Sequence, residues 1–143
     1  MRPKVSIVIP IFKAEAYIER CARSLFEQSL DNIEYIFVND CSPDNSMYLL
    51  DKVLGDYPQR KEQVHIINHS QNLGAAKARE VGIKVATGEY IIHCDSDDWV
   101  ERNMYQTMYE EVQNHNADIV ICDFYETDGI RHKHITQHID TKS

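Results

Sequence analysis

Three aspartates fall within four positions of the segment EYIIHCDSDDW, Glu89 to Trp99: Asp95, Asp97 and Asp98. Asp95 and Asp97 are two apart, so if extended geometry continues past Cys94 both side chains point the same way. Two carboxylates about 4 Å apart repel by roughly 4 kcal/mol at an effective dielectric of about 20. Either one carboxyl keeps its proton, or a cation sits between the two. Hard oxygen ligands at a strand end suit magnesium or manganese, and we favour the cation. Asp98 has a second explanation: with Glu101 three residues on, it forms a capping-box pattern for a helix beginning near Trp99.

Two further segments carry polar residues at expected strand ends. VNDCSPDNS puts Asp40 just past an apolar run, followed by the turn formers Ser42, Pro43, Asp44 and Asn45. Asp44 and Asn45 read as turn and helix-cap residues; Asp40 either does the same or reaches a ligand. HSQNLGAAKAREVG puts Gly74 at an expected helix start, where a glycine lets backbone amides approach an anion. One glycine is a weak signal beside a G-x-G-x-x-G loop, which this chain lacks. Lys77 and Arg79 read as solvated helix residues, or one of them balances charge beside an acidic metal site.

The elements that would position these groups alternate between short Val/Ile-rich runs and amphipathic segments. That is the pattern of a doubly wound α/β fold, with a mostly parallel sheet and helices on both faces. Strands are expected at Val5 to Phe12, Glu34 to Asn39, Val64 to Asn68, Glu89 to Cys94 and Asp118 to Tyr125, most of them continuously apolar, as strands buried on both faces are. Helices are expected at Ala14 to Leu30, Ser46 to Leu54, Ala75 to Ala86 and Glu101 to His115. In such sheets the ligand crevice lies beyond the carboxyl ends of the strands, which gathers Pro10 to Phe12, Asn39 to Cys41, His69 to Gly74 and Asp95 to Asp98 at one rim.

The 143 residues, 43% hydrophobic, suit one compact core. With 15 Lys+Arg against 23 Asp+Glu, net charge -8, the chain lacks the cationic footprint of a nucleic-acid or anionic-lipid binder. An anionic ligand would need a local device such as a metal ion. Cys21, Cys41, Cys94 and Cys122 are scattered singly, without the paired spacing of a zinc site, and read as buried thiols in a reducing, cytoplasmic setting. Pro10 and Lys13 cut the N-terminal apolar run too short for a signal peptide or membrane span. The polar tail from Gly129 carries His132, His134 and His138, read as solvent-facing residues of an edge strand or disordered end rather than metal ligands.

Taken in order, VSIVIPIFKAEAYI, EYIFVNDCSPDNS, NLGAAKAREVGI and ATGEYIIHCDSDDWV resemble the N-terminal part of the family-2 inverting glycosyltransferases of GT-A fold, over about Val5 to Val100. DSDD at Asp95 to Asp98 occupies the place of the family's D-x-D motif. The resemblance implies a nucleotide-sugar donor, commonly a uridine diphosphate sugar, a divalent metal (manganese or magnesium), and a glycan or other hydroxyl acceptor. It implies roles residue by residue. Pro10 and Phe12 would line the base pocket, Phe12 stacking on the base, and Asp40 would contact the base edge. Asn72 and Gly74 would close over the nucleotide, and Arg79 would support the acidic motif. Asp95 would lie near ribose and metal, and Asp97 would hold the metal that bridges to the diphosphate.

Lys13 and Asn39 depart from the family, which often has Asn and Asp there. The acceptor-binding half of the family, with its acidic base, lies downstream of the matched region. Residues 1–128 are therefore expected to form the donor-binding domain, and 129–143 a polar tail or the start of a truncated acceptor-binding region. No residue is nominated as base, and no motif bears on oligomeric state. A longer parent protein could work at the inner face of the membrane. A phosphoacceptor receiver domain would need an acidic pair after the first strand and a lone Asp after the third; here those strands end in Pro10 and Asn68. A D-x-D phosphohydrolase would carry its motif on the first strand. A non-catalytic nucleotide-binding or interaction module stands as the other reading.

Overall fold

The computed structural model describes residues 2–115 and the backbone of two later strands. The chain divides into two compact units, Met1–Tyr105 and Gln106–Ser143. The first contains β1 (Val5–Ile11), α1 (Ile18–Phe26), β2 (Ile33–Asn39), α2 (Ser46–Leu54), a 3-10 turn (Pro58–Gln63), β3 (Val64–Asn68), α3 (Ala75–Val85) and β4 (Tyr90–His93). Its four strands form one parallel sheet in the order β3-β2-β1-β4.

The pleat of β1 and β2 sends alternate side chains to opposite faces. On one face Phe26 of α1 meets Tyr35 and Phe37 edge-on, at ring separations of 5.2 and 6.0 Å, and the Tyr35 hydroxyl donates to Leu25 O at 2.6 Å. On the other, Val8, Ile36 and Val38 cluster with Ala78 of α3. α3 approaches β1 closely because Gly82 has no side chain: a Cβ there would overlap Val8 Cγ1. Both central strands are apolar because both faces are covered, and each fully buried aliphatic side chain contributes roughly 1.5–3 kcal/mol.

Burial on both faces does not extend to β3 and β4. Ile66 and Ile91 are each 42% exposed, and His65, Asn68 and His93 are exposed too. These strands lie at the two ends of the four-stranded sheet, where β3 and β4 each pair with one described neighbour. Cys41 is exposed rather than buried, because the chain turns outward there with φ +57°; Cys21 and Cys94 are buried, and Cys122 lies outside the described residues.

Helix α1 is shorter than its apolar face predicts. Beyond Phe26 the backbone carbonyls turn to Arg60, whose buried guanidinium donates to the oxygens of Phe26, Gln28, Leu30 and Asp31 at 2.8 to 3.1 Å. A tertiary cation thus takes carbonyls that a longer helix would have used.

The helix expected from Glu101 runs from Met104 to Asn114 (α4), starting in the first unit and continuing in the second. Asp98 is therefore too far upstream to cap it. Its amide instead closes a turn on Asp95 O at 3.0 Å, while Val100 N bonds Ser24 Oγ and Tyr105 N bonds Gln28 Oε1. In the second unit β5 (Phe124–Thr127) pairs antiparallel with β6 (His132–Ile135), Phe124 opposite Ile135. Residues 118–123 of the expected fifth strand, and His138, lie outside the described residues. Among the described residues no helix is long and apolar enough to cross a membrane.

Candidate functional site

In the order β3-β2-β1-β4 the connection reverses direction between β1 and β4, and a crevice forms beyond the carboxyl ends of strands at such a point. There the structure has a cleft of about 450 Å³. Pro10, Phe12, Asp40, Asn72, Gly74, Arg79, Asp95 and Asp97 all line it, so the eight positions singled out from sequence come together in space. Lys13, Tyr17 and Ser96 also line it and were not singled out.

β1 delivers the first wall. Pro10 is its penultimate residue and Phe12 follows its end, with the ring 42% exposed. The chain then turns through Lys13 at φ +51°, its amide donating to Ser42 Oγ at 2.9 Å and its ammonium lying 5.3 Å from the centre of the Phe12 ring. Asn39 ties the strand ends together, donating to Asn68 Oδ1 at 2.9 Å and accepting Ser42 N at 3.0 Å. Asp44 accepts from Ser42 and Ser46, and these bonds outweigh desolvation and lower its carboxyl to about 2. It therefore serves the turn before α2, as its residue type suggests.

Asp40 forms the floor. It is 1% exposed, and burial alone would raise its carboxyl. Three donors more than offset that: Leu73 N at 2.8 Å and His69 Nδ1 at 3.1 Å on Oδ1, and Gly74 N at 2.9 Å on Oδ2. The net shift is downward, so Asp40 is ionised at neutral pH. Gly74 has φ +92°, a conformation that side chains disfavour, and this aims its amide at Asp40. The anion that the Leu73 and Gly74 amides meet is thus the Asp40 carboxylate.

Asp95 and Asp97 of the acidic cluster also line the cleft. Asp95, Asp97 and Asp98 each bring a carboxylate oxygen to within 4.8 Å of the others, and all three are exposed. Arg79, from the second turn of α3, donates to Asp95 Oδ1 at 2.9 Å, so part of the repulsion is met by a guanidinium. Desolvation first, then the charges of Asp97 and Asp95, raise the Asp98 carboxyl. Cys21 and Cys94 both donate to Asp95 O, at 3.7 and 3.6 Å, anchoring the backbone of the motif. Converging hard oxygens with one residual cation nearby fit a divalent ion of the magnesium or manganese type. Lys77, by contrast, pairs with Glu80 at 3.5 Å on the exposed face of α3.

His69 lies at the rim as expected, but its bond to Asp40, 29 positions away, is one that only the fold makes. A larger hollow, about 590 Å³, lies along α1 and contains none of the eight residues. Trp99 lines it, stacked 3.7 Å under the Arg20 guanidinium.

The family model for glycosyl transferase family 2 matches residues 6–139. The chain is 39% identical over 140 residues to the uncharacterized glycosyltransferase EpsJ of Bacillus subtilis (strain 168), covering 98% of this chain and 39% of that protein. It is 37% identical over 139 residues to glycosyltransferase GlyG of Streptococcus pneumoniae serotype 4, covering 95% and 45%. It thus spans less than half the length of these two relatives. Among solved structures, S. aureus TarS 1–349 in complex with UDP is similar with a TM-score of 0.72 and 26% identity, over 80% of this chain and 33% of that one. Sequence match, parallel sheet and cleft agree, and the chain belongs to glycosyl transferase family 2.

Proposed function

We propose that this chain is the donor-binding part of a glycosyltransferase that uses a uridine diphosphate sugar and a divalent cation, with inversion, on a glycan or other hydroxyl acceptor. The observation that carries this is that one cleft is lined both by a buried, ionised Asp40 and by the Asp95 and Asp97 carboxylates. A nucleotide diphosphate has matching parts: a flat base with hydrogen-bonding edges, then a diphosphate that needs a cation. Supporting it, TarS 1–349 has been solved with UDP and with UDP-GlcNAc.

In this reading Phe12 stacks on the base, an interaction worth about 1–3 kcal/mol per base in single-strand nucleic-acid binders. Pro10 flanks it, and Asp40 accepts from the base edge. Asn72 and Gly74 close over the nucleotide. Asp95, held by Arg79, faces the ribose and metal, while Asp97 would hold the divalent cation that the diphosphate needs. A divalent cation bound there supplies Lewis acidity for the departing diphosphate. The attack comes from an acceptor hydroxyl on the far face of the anomeric carbon, and its base is assigned to no described residue. Residues 1–128 would serve the donor, and the whole protein would work on the cytoplasmic side of a membrane.

Thermal unfolding with uridine diphosphate and manganese tests the reading. Ligand at about 100 times Kd adds roughly 2.7 kcal/mol of stability. The expected shift disappears with chelator and in Asp97→Ala; a shift indifferent to both, or none at all, contradicts it.

A further inference from the structure

His69 has no part in the scheme above, yet its ring is 8% exposed and its Nδ1 lies 3.1 Å from Asp40 Oδ1. Asp40 is ionised and can only accept, so Nδ1 must carry the hydrogen in that bond. The ring is thereby fixed in orientation and in the nitrogen it protonates toward Asp40. A carboxylate has about four acceptor positions. Oδ1 receives two donors, His69 and Leu73, and Oδ2 receives one, Gly74, which leaves a position on Oδ2. Asp40 lines the cleft.

We propose that His69 is a positioning residue for base recognition: it occupies Oδ1 and locks the Asp40 carboxylate so that the remaining Oδ2 position meets a ring N–H on the edge of the donor base. This deepens the donor-binding reading and rests on it. Uracil, with its N3–H, satisfies that position. Cytosine sets an unprotonated N3 lone pair against an acceptor, and a site built around one hydrogen-bonding type rejects the edge that lacks it. Without His69, Oδ1 loses a donor and the carboxylate can turn, so the selectivity should fall with the affinity. Asn at 69 keeps an N–H donor on Cγ, near where Nδ1 sits; Ala keeps none.

Calorimetric titration with uridine diphosphate and with cytidine diphosphate, each with manganese, tests this in the unsubstituted chain, His69→Ala and His69→Asn. The unsubstituted chain should prefer uridine diphosphate. His69→Ala should lose about tenfold in uridine diphosphate affinity, the scale of one hydrogen bond to a charged group, and most of the preference. His69→Asn should recover both to within about threefold. An unchanged preference in His69→Ala, or an equal loss for both nucleotides that Asn does not restore, overturns the proposal while leaving the donor site standing. Failure of the unsubstituted chain to bind uridine diphosphate overturns the donor reading and this inference with it. A measurement that needs no variant is the long-range ¹H–¹⁵N spectrum of the histidine rings at neutral pH. It should show His69 protonated at Nδ1, and an unprotonated Nδ1 overturns the proposal whatever the variants do.

Discussion

The guanidinium of Arg79 lies 2.9 Å from Asp95 Oδ1, joining the second turn of α3 to the acidic segment that follows β4. Both side chains are more than a third exposed, so the pair itself contributes about 1 kcal/mol of stability or less. Arg79→Ala should therefore leave urea unfolding almost unchanged. It should weaken binding of uridine diphosphate with manganese by about fivefold, since Asp95 loses its fixed orientation. Equal affinity in a titration of Arg79→Ala would show that the ion pair is incidental to the site.

Acid should unfold the protein through carboxylates that the fold holds below their ordinary range. Asp40, Glu34 and Asp44 all have lowered carboxyls, Asp44 to about 2. A lowered folded-state value means stability that is complete above the unfolded value of about 3.9 and is lost as pH falls through the folded one. Asp44→Asn should thus cost stability at pH 7 and flatten the decline of stability between about pH 4 and pH 2. Unfolding curves collected across that window would reveal an unaltered slope if the bonds from Ser42 and Ser46 do not matter.

Gly82→Ala should destabilise by about 1–3 kcal/mol, because the added methyl overlaps Val8 Cγ1 in the cluster beneath α3. Gly74→Ala faces open space and suffers only the strain of φ +92°. Because φ +92° with ψ +159° is a region open essentially to glycine alone, its stability loss should be of similar size, but with a larger loss of nucleotide affinity, since the Gly74 amide holds Asp40. Comparing unfolding and binding for the two variants separates packing from site geometry; a larger affinity loss in Gly82→Ala would contradict this assignment.

Arg60→Ala should cost about 3 kcal/mol in urea unfolding, because it leaves four carbonyls between Phe26 and Asp31 without their charged donor. Nucleotide binding by the folded fraction should be unaffected, as Arg60 does not line the cleft. A loss confined to binding would mean that the segment after α1 communicates with the site.

The sequence made some of this legible for identifiable reasons. β3 and α2 appear over the residues expected, and α3 differs by one, because apolar spacing and turn residues bound them locally. The positions of Asp40 and the acidic cluster followed from the rule that parallel strands point their carboxyl ends one way, and that of Arg79 from the family resemblance. What escaped depends on contacts far apart in the chain. Arg60 ends α1 from 34 residues beyond Phe26, and Ser24 holds Val100 in the turn that delays α4. Glu34 sits inside an apolar strand because Ser6 and Thr87 hydrogen-bond it from two other segments. The anion at the Gly74 amide depends on the fold in the same way: it is an aspartate from the end of another strand.

We infer that Asp97 and Asp95 join a cation to a uridine diphosphate in this cleft. Anomalous diffraction at the manganese edge, from crystals grown with uridine diphosphate and manganese, tests it most directly. The account predicts one strong peak in bonding contact with an Asp97 carboxylate oxygen and the diphosphate, with the uracil ring against Phe12 and its N3 toward Asp40. A nucleotide bound elsewhere, or a metal peak away from Asp95 and Asp97, would contradict it.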